Sequence, residues 1–236
     1  MDDFSYLDQL ANSAIEVERN FMNALIGSKD GAISQARSAR IAIGQMTGVS
    51  DTGFLTALRL RNDELLGVCD SMISQSLTQA SKISNQDLTM EANEIALHHR
   101  SFVYERLVSD GERKVAQLQL DMKRIAIIAR SMRDDNDWDT SASLLRSRES
   151  VEKRKQLSTD ANGKAQLTER YTKLLVRGLG VMCLADSVMA MSTTDRFEVV
   201  SFEGDVLGVI ERVEYENLRE SLFHPQCRRY LQPHSK

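Results

Sequence analysis

Proline is missing from almost the whole length of this chain. The sequence has 236 residues, and its two prolines, Pro225 and Pro233, both lie among the last twelve. Proline breaks helices because it cannot donate a backbone hydrogen bond and its ring clashes with the preceding turn. Nothing in residues 1–224 therefore forbids long uninterrupted helices, and long helices are what we expect.

The most regular apolar pattern predicts one long helix in the middle of the chain. Its positions recur in steps of four and three: Tyr104, Val108, Gly111, Val115, Leu118, Met122, Ile125, Ala129 and Met132. This is the heptad spacing of a coiled-coil seam. The segment "SNQD" at residues 84–87 predicts a cap before this helix. Although "SDG" at residues 109–111 weakens the helix by about 1 kcal/mol, the register continues through it, so we expect a single helix.

Apolar residues with helical spacing predict further helices before this seam. One covers residues 5–26 and another covers residues 51–84. Between them, "GSKDG" at residues 27–31 predicts a turn, and a shorter helix then runs to "GVSDTG" at residues 48–53. The first part of the chain is therefore predicted to consist of helices joined by glycine-containing turns.

After the seam, one sparsely apolar helix and one strongly apolar helix are predicted. Residues 141–158 have helical propensity but few apolar positions, so this helix is either solvated or covered by a partner. "DANG" at residues 160–163 predicts a turn. Beyond it, an apolar stripe recurs with helical spacing: Leu167, Tyr171, Leu174, Leu175, Gly178, Val181, Met182, Ala185, Val188 and Met189. We expect this second helix to be the most buried one.

The character of the sequence changes after residue 192. Residues 197–202 and 206–215 are rich in β-branched and aromatic residues. The segment "EGD" between them suits a tight turn, which predicts a β-hairpin. A short helix at residues 216–223 and a polar tail are expected to follow.

These patterns predict a mostly α fold in two domains. Residues 1–192 are expected to form an elongated antiparallel helical bundle or coiled coil. Residues 193–236 are expected to form a small appendage, consisting of the β-hairpin, the short helix and the polar tail.

Net charge and cysteine content argue against several classes of function. The formal net charge of −4 and the pI of about 5.7 give nucleic acid no overall attraction, so we expect no nucleic-acid partner. The three cysteines, Cys69, Cys183 and Cys227, are far apart and have no CxxC spacing. This pattern favours a reducing compartment over a disulfide framework. The acidic N-terminus "MDDFSYLDQL" does not resemble a signal peptide, and we expect a cytoplasmic protein.

An aspartate-rich segment, "RDDNDWDTSASLL" at residues 133–145, is the clearest candidate for chemistry. Asp135, Asp137 and Asp139 match the first three oxygen ligands of an EF-hand calcium loop. The glycine that such a loop needs is replaced by Thr140, and its final glutamate is replaced by an arginine. We therefore favour an acidic turn that caps the next helix, with the three aspartates kept as the candidate metal ligands.

Histidines supply two further candidate metal sites. His98 and His99 lie near Glu94, but the spacing of four between Glu94 and His98 differs from the spacing of three in di-iron bundles. An exposed ion pair across one helical turn is the favoured interpretation. "HPQC" at residues 224–227, together with His234, would offer three zinc ligands in the predicted tail.

Motifs of the common enzyme classes are absent from the sequence. There is no GxxxxGK phosphate loop, no GxSxG nucleophile elbow and no HExxH metal motif. "GLGVMC" at residues 178–183 begins like a dinucleotide loop but lies inside a predicted helix. We expect no cofactor and no catalytic residue, and a helical metal-dependent enzyme is the less favoured alternative.

The segment "LLVRGLGVMCLADSVMAM" at residues 174–191 is just long enough to cross a membrane. Its two charged residues, Arg177 and Asp186, would be costly in lipid, and its helical stripe favours burial among other helices. A membrane-active component, or a component of a secretion-type membrane apparatus, is therefore the first alternative, ahead of the metal-dependent enzyme.

Long apolar seams without a catalytic motif favour a non-enzymatic interaction module. We expect a helical adaptor, scaffold or structural subunit of a larger cytoplasmic assembly, with other proteins or a second copy of this chain as partners. The residues expected to make these contacts are Val115, Leu118, Met122, Ile125, Leu174, Val181 and Val188.

Overall fold

The computed structural model describes residues 4–39, 49–131, 157–159 and 164–234. These residues form five helices: α1 (Ser5–Ala39), α2 (Val49–Ser84), α3 (Met90–Ser131), α4 (Thr168–Met191) and α5 (Arg212–Leu222). They also form five short strands: β1 (Leu157–Thr159), β2 (Ala165–Leu167), β3 (Arg196–Ser201), β4 (Val206–Glu211) and β5 (Arg229–Pro233). The prediction of a mostly helical fold with a small antiparallel sheet near the C-terminus is confirmed.

The long helices run through segments that contain glycine. Helix α3 continues through residues 109–111, as the apolar register predicts. Helix α1 continues through residues 27–31, so the turn predicted there is wrong. The reason is energetic: a glycine inside a helix costs only about 1 kcal/mol relative to alanine, which the rest of a long helix can offset. Helix α2 matches the helix predicted over residues 51–84.

A short break separates α2 from α3. Asn85 ends α2 with a left-handed backbone, φ of 51°, which asparagine tolerates better than most residues. The hydroxyl of Thr89 accepts a hydrogen bond of 3.1 Å from the backbone N–H of Ala92. This bond satisfies one of the free N–H groups in the first turn of α3. The cap of α3 is thus Thr89 and not the segment predicted at residues 84–87.

Strands β1 and β2 form a small antiparallel pair that the sequence patterns do not predict. Leu157 lies opposite Leu167 in this pair. Residues 157 and 158 were predicted to end a helix, and that prediction is wrong for them. Pairing with β2 overrides a local helical propensity that few apolar residues support. The turn predicted at residues 160–163 falls between the two strands but outside the described residues.

Strand β3 lies at the centre of a three-stranded antiparallel sheet with the order β4-β3-β5. The predicted hairpin is confirmed as β3 and β4, and Gly204 in its turn has a φ of 99°. Strand β4 ends earlier than the predicted residue 215. Glu211 and Glu214 form a capping box there, which starts α5 at Arg212.

Strand β5 occupies the segment predicted to be a polar tail, so that prediction is wrong. Leu231 of β5 lies opposite Val199 of β3 and is fully buried. The five residues of β5, RYLQP, are too few to give a detectable alternation, and the partner strand is distant in sequence, so the pairing leaves no local signal.

The chain divides into two compact units, each assembled from separated stretches. Unit 1 contains Met1–Ile15, Leu65–Arg106 and Thr172–Lys236, and unit 2 contains Glu16–Glu64 and Leu107–Tyr171. These units are clusters of contacts and not consecutive segments. The division into domains 1–192 and 193–236 stays a prediction.

Unit 2 combines an apolar core with a buried network of charges. The core contains Phe21, Leu25, Phe54 and Val115, with Met22, Ala57, Leu58 and Leu118 packed against it. Beside it, the guanidinium of Arg61 donates two hydrogen bonds to the carboxylate of Glu18. The ammonium of Lys114 donates to Asp110, which also accepts a bond of 2.8 Å from Ser158. Buried charges of this kind are tolerated only when they are paired.

The buried line of α3 lies one residue away from part of the predicted seam. Its buried side chains include Val103, Leu107, Asp110 and Lys114, whereas Tyr104 and Val108 are only partly buried. The predicted seam rejoins the core at Val115.

Unit 1 has α4 as its most apolar element. Of the described helices, α4 alone is long and apolar enough to cross a membrane, and 78% of its most apolar window is buried. Cys69 of α2 and Cys183 of α4 are buried free thiols, and burial raises the pKa of each to about 12. Cys227 is also a buried free thiol whose pKa is raised by burial.

Candidate functional site

The candidate site is a groove in unit 1 that is lined by α3, α4 and α5. Its volume is about 840 Å³, which is within the range of ligand sites in proteins. The apolar lining consists mainly of Ile95, Phe102 and Val103 of α3 and Leu174, Leu175, Leu179, Met182, Met189 and Ala190 of α4. We call this feature the unit 1 groove.

Helix α4 supplies the apolar lining because its sequence carries two adjacent stripes. Leu175, Met182 and Met189 are seven residues apart, so they lie on one side of the helix. All three line the groove, and Leu175 and Met182 remain partly exposed. Val181 and Val188 of the neighbouring stripe are buried. One stripe of α4 therefore fills the core of unit 1 while the other reaches the groove.

Asp186 of α4 joins the three helices at the groove. Its carboxylate is 2.6 Å from Nε2 of His99 on α3 and accepts a hydrogen bond from the hydroxyl of Tyr215 on α5. Nη2 of Arg219, also on α5, lies 3.1 Å from the same carboxylate. Because a carboxylate only accepts hydrogen bonds, His99 donates from Nε2. The side chain of Asp186 is nearly buried, and these three partners compensate its negative charge.

Burial, followed by the charge of Asp186, raises the pKa of Tyr215 far above its ordinary value. Tyr215 is therefore a permanent hydrogen-bond donor at neutral pH. The cluster of Asp186, His99, Tyr215 and Arg219 accordingly holds the helices together and fixes the shape of the groove.

Arg212, the second arginine that lines the groove, caps the C-terminal end of α4. Arg212 donates to the backbone carbonyls of Met189 at 3.0 Å and Thr194 at 3.0 Å, and its guanidinium lies 5.2 Å from the centre of the Phe197 ring. These carbonyls belong to the C-terminal end of α4 and the residues after it, where the helix dipole favours positive charge. The basic groups of Arg212 and Arg219 are thus largely occupied within unit 1, although Nε of Arg219 is buried and has no hydrogen-bond partner among the described residues.

Four exposed glutamates line the groove. Glu91 and Glu94 lie on α3, and Glu216 and Glu220 lie on α5. Glu216 is 3.9 Å from Arg219, a weak exposed contact. Within the described part of the chain, no ion pair involves Glu91, Glu94 or Glu220. The border of the groove therefore carries uncompensated negative charge.

The metal sites considered from the sequence are not assembled by the described residues. Asp135, Asp137 and Asp139 lie outside the described residues. Among the ion pairs of the described residues, Glu94 is not paired with His98; the neighbouring His99 pairs with Asp186. In the C-terminal region, His234 pairs with Glu198 at 2.8 Å and not with the "HPQC" segment. Across the described residues, no three His, Cys, Asp or Glu side chains are grouped in a way that could hold a metal ion.

The predicted interaction residues fall into three groups. Val115 and Leu118 belong to the core of unit 2, and Val181 and Val188 are buried in unit 1. Leu174 lines the groove. Met122 and Ile125 lie in α3, but their side chains are outside what the structure describes.

Sequence reasoning did not find the Asp186 cluster, although one signal was present. Asp186 and Arg177 are the only charges in an otherwise apolar stretch of 18 residues, 174–191. The structure gives each of them partners: Arg177 binds Asp8 at 3.0 Å and the carbonyl of Cys227 at 3.0 Å. An isolated charge in an apolar helix thus indicated a polar cluster, but not the residues that complete it.

The chain matches no protein-family model, no curated protein and no solved structure.

Proposed function

We propose that the protein is a non-enzymatic interaction module, a helical adaptor or structural subunit of a larger cytoplasmic assembly. In this proposal the unit 1 groove binds a helix of a partner protein. The observation that carries the proposal is the apolar row that α4 contributes to the groove, in which Leu175 and Met182 are partly exposed and Met189 is buried at its end. Phe102 adds an apolar wall and is 49% exposed.

This arrangement suits a helix better than an extended peptide. The lining residues of α4 are seven apart, so a helix lying along them would meet each with its own heptad positions. Covering them removes apolar surface from water, at about 25 cal/mol per Å². The Asp186 cluster holds the three helices in place before the partner arrives, which lowers the entropic cost of binding.

The other predicted interaction residues have a supporting role in this proposal. Val115, Val181 and Val188 stabilise the cores of the two units, and Leu174 contributes to the binding surface. Self-association is included, since a helix of a second copy is one such partner. The elongated coiled-coil form of the chain and the contacts of Met122 and Ile125 stay predictions.

The experiment measures binding of a synthetic amphipathic helix to the full chain. The peptide is about 18 residues long, enough to form a helix on binding, with leucines at heptad positions and glutamines elsewhere. Fluorescence anisotropy gives its Kd. The groove variants Met182→Gln and Phe102→Gln are each expected to weaken binding by about tenfold, as loss of an apolar anchor does.

The control is Leu60→Gln, which changes an exposed leucine that does not line the groove. Circular dichroism establishes that all three variants are folded. The proposal is wrong if the peptide does not bind, or if Leu60→Gln weakens binding as much as the groove variants do.

A membrane-active role is the second candidate, because α4 has the length and a mean hydropathy of 1.7 that suit a membrane span. Insertion would require α4 to leave unit 1 and to break the hydrogen bonds of Asp186 and Arg177, which would then enter lipid uncompensated. Flotation with anionic and neutral liposomes, at neutral and acidic pH, tests this role. Protein that stays at the bottom of every gradient rules it out.

A further inference from the structure

We infer that the partner helix of the unit 1 groove is basic and amphipathic, with lysine or arginine on both sides of an apolar stripe. This inference rests on the proposed function and adds the chemistry of the partner. It follows from the charges that border the groove and from the way in which the basic groups inside it are already used.

The negative charges lie on two of the helices that line the groove. Glu91 and Glu94 are three residues apart on α3, and Glu216 and Glu220 are four apart on α5. Each pair therefore spans one helical turn. A helix packed on the exposed apolar lining would bring its polar flanks near these pairs, and cations spaced by one turn would match them.

The arginines that line the groove are engaged within unit 1, and the guanidinium of Arg106 lies over the Phe102 ring, 4.2 Å from its centre. Arg212 donates to the carbonyls at the end of α4, and Arg219 is held by Asp186. His99 donates to the same aspartate. An acidic partner would therefore meet four glutamates and find the arginines already engaged, whereas a basic partner would gain complementary charges without displacing any of these bonds.

The length of the apolar row sets the length of the partner. The exposed part of the row runs from Leu175 to Met182, because Met189 is only 8% exposed. A helix rises about 1.5 Å per residue, so this part is about 11 Å long. A partner helix of about two to three turns would cover it. Exposed glutamates and basic side chains interact through partly screened charges, so their contribution is chiefly to selectivity and to the rate of association.

The test compares three synthetic helices that share one leucine face and differ only at the polar positions. These positions are all lysine, all glutamine or all glutamate. Anisotropy with the full chain, at low and at physiological salt, is expected to give a Kd for the lysine peptide about tenfold below that of the glutamine peptide. The glutamate peptide is expected to bind more weakly than both, and the lysine preference should shrink as salt rises.

A charge-neutralising variant locates the effect. The double variant Glu94→Gln with Glu220→Gln should remove most of the preference for lysine and leave the affinity for the glutamine peptide unchanged. The matched control, Glu64→Gln with Glu105→Gln, removes the same charge from exposed positions that do not line the groove. It should keep the full preference.

The outcomes separate this inference from the proposed function. If all three peptides bind equally, or if the control double variant loses the preference as well, the charge argument is wrong while helix binding by the groove stands. If the glutamate peptide binds best, the inference is reversed. If no peptide binds, the proposed function fails together with it.

Discussion

Gly111 has no side chain at the point where the guanidinium of Arg61 lies against α3. A Cβ at this position would be 2.5 Å from Nη1 of Arg61 and 2.9 Å from Cδ1 of Leu58. Arg61 is 1% exposed, and moving it into solvent would break its two hydrogen bonds with Glu18. The glycine is therefore required by the buried ion pair and not by its backbone conformation.

Replacing Gly111 by alanine should destabilise the protein by about 1–3 kcal/mol, because the buried guanidinium must shift. The matched control is Gly67→Ala, also inside a helix, where an added Cβ meets no atom within 4 Å. It should stabilise the protein by about 0.5–1 kcal/mol through helix propensity alone. Urea unfolding of both variants checks the opposite signs. Equal effects would show that Arg61 does not pack against Gly111.

The residues of the buried charge network also explain where the predicted seam is misplaced. Asp110 and Lys114 are charged, so the sequence predicts that they are exposed. A seam built from apolar residues alone therefore passes through Tyr104 and Val108 instead. Lys114 lies 3.9 Å from Glu18 of α1, and Asp110 accepts a hydrogen bond from Ser158 of β1. Apolar periodicity cannot anticipate a charge that is buried because its partner comes from elsewhere in the chain.

At the scale of elements, helices were predicted better than strands and helix ends. The uninterrupted α3 and the apolar α4 follow from periodicity over many residues, which outweighs single glycines. Strands β1, β2 and β5 are short. Their extended conformation depends on the strands with which they pair, and their own residues do not specify it. Helix α4 shows why helix ends are difficult to predict. The carbonyls at its C-terminal end are capped by Arg212, which follows an intervening hairpin.

The variant Arg212→Lys should destabilise the protein by about 1–3 kcal/mol. A lysine ammonium cannot reproduce the planar fork that reaches the carbonyls of Met189, Ser192 and Thr194. The control Arg196→Lys alters an exposed arginine 3.7 Å from Glu211 and should change stability by less than about 0.5 kcal/mol. Thermal unfolding monitored by circular dichroism compares them. If Arg212→Lys leaves the stability unchanged, the cap does not contribute to it.

At the scale of the whole molecule, the sequence indicates the fold class but not the groove. The apolar row of α4 was visible as a second stripe beside the first. Its neighbours, Glu91 on α3 and Glu216 on α5, come from segments more than a hundred residues apart in the chain, and only folding places them at one groove. His99 and Tyr215 have no local feature that marks them as partners of Asp186.

Acid stability of the whole chain should depend on Asp110. Burial alone would raise the pKa of this carboxyl, but the charge of Lys114 and the hydrogen bonds from Lys114, Ser158 and Arg113 hold it below its ordinary value of 3.8. The unfolded chain therefore takes up this proton first as the pH falls. The stability contributed by Asp110 is present above the ordinary value and is lost as the pH drops through the folded pKa.

The variant Asp110→Asn should lower stability at pH 7 by about 3–5 kcal/mol, because it leaves Lys114 without its closest buried partner. It should also flatten the fall in stability below pH 4, since the titrating group is gone. Urea unfolding at a series of pH values measures both effects. Asp63→Asn, at an exposed carboxylate 4.0 Å from Arg59, serves as the control and should change neither. An unaltered acid slope in Asp110→Asn would contradict this account.

The positions of the three cysteines make local opening of unit 1 measurable. Cys69, Cys183 and Cys227 all belong to unit 1 and are all buried. A thiol reagent can reach them only when the surrounding structure opens, and their raised pKa values keep them unreactive until then. Mass spectrometry of each labelled cysteine therefore records opening events in unit 1 without contribution from unit 2. Equal labelling rates would show that unit 1 opens as a whole, and unequal rates would rank its elements by how readily each detaches.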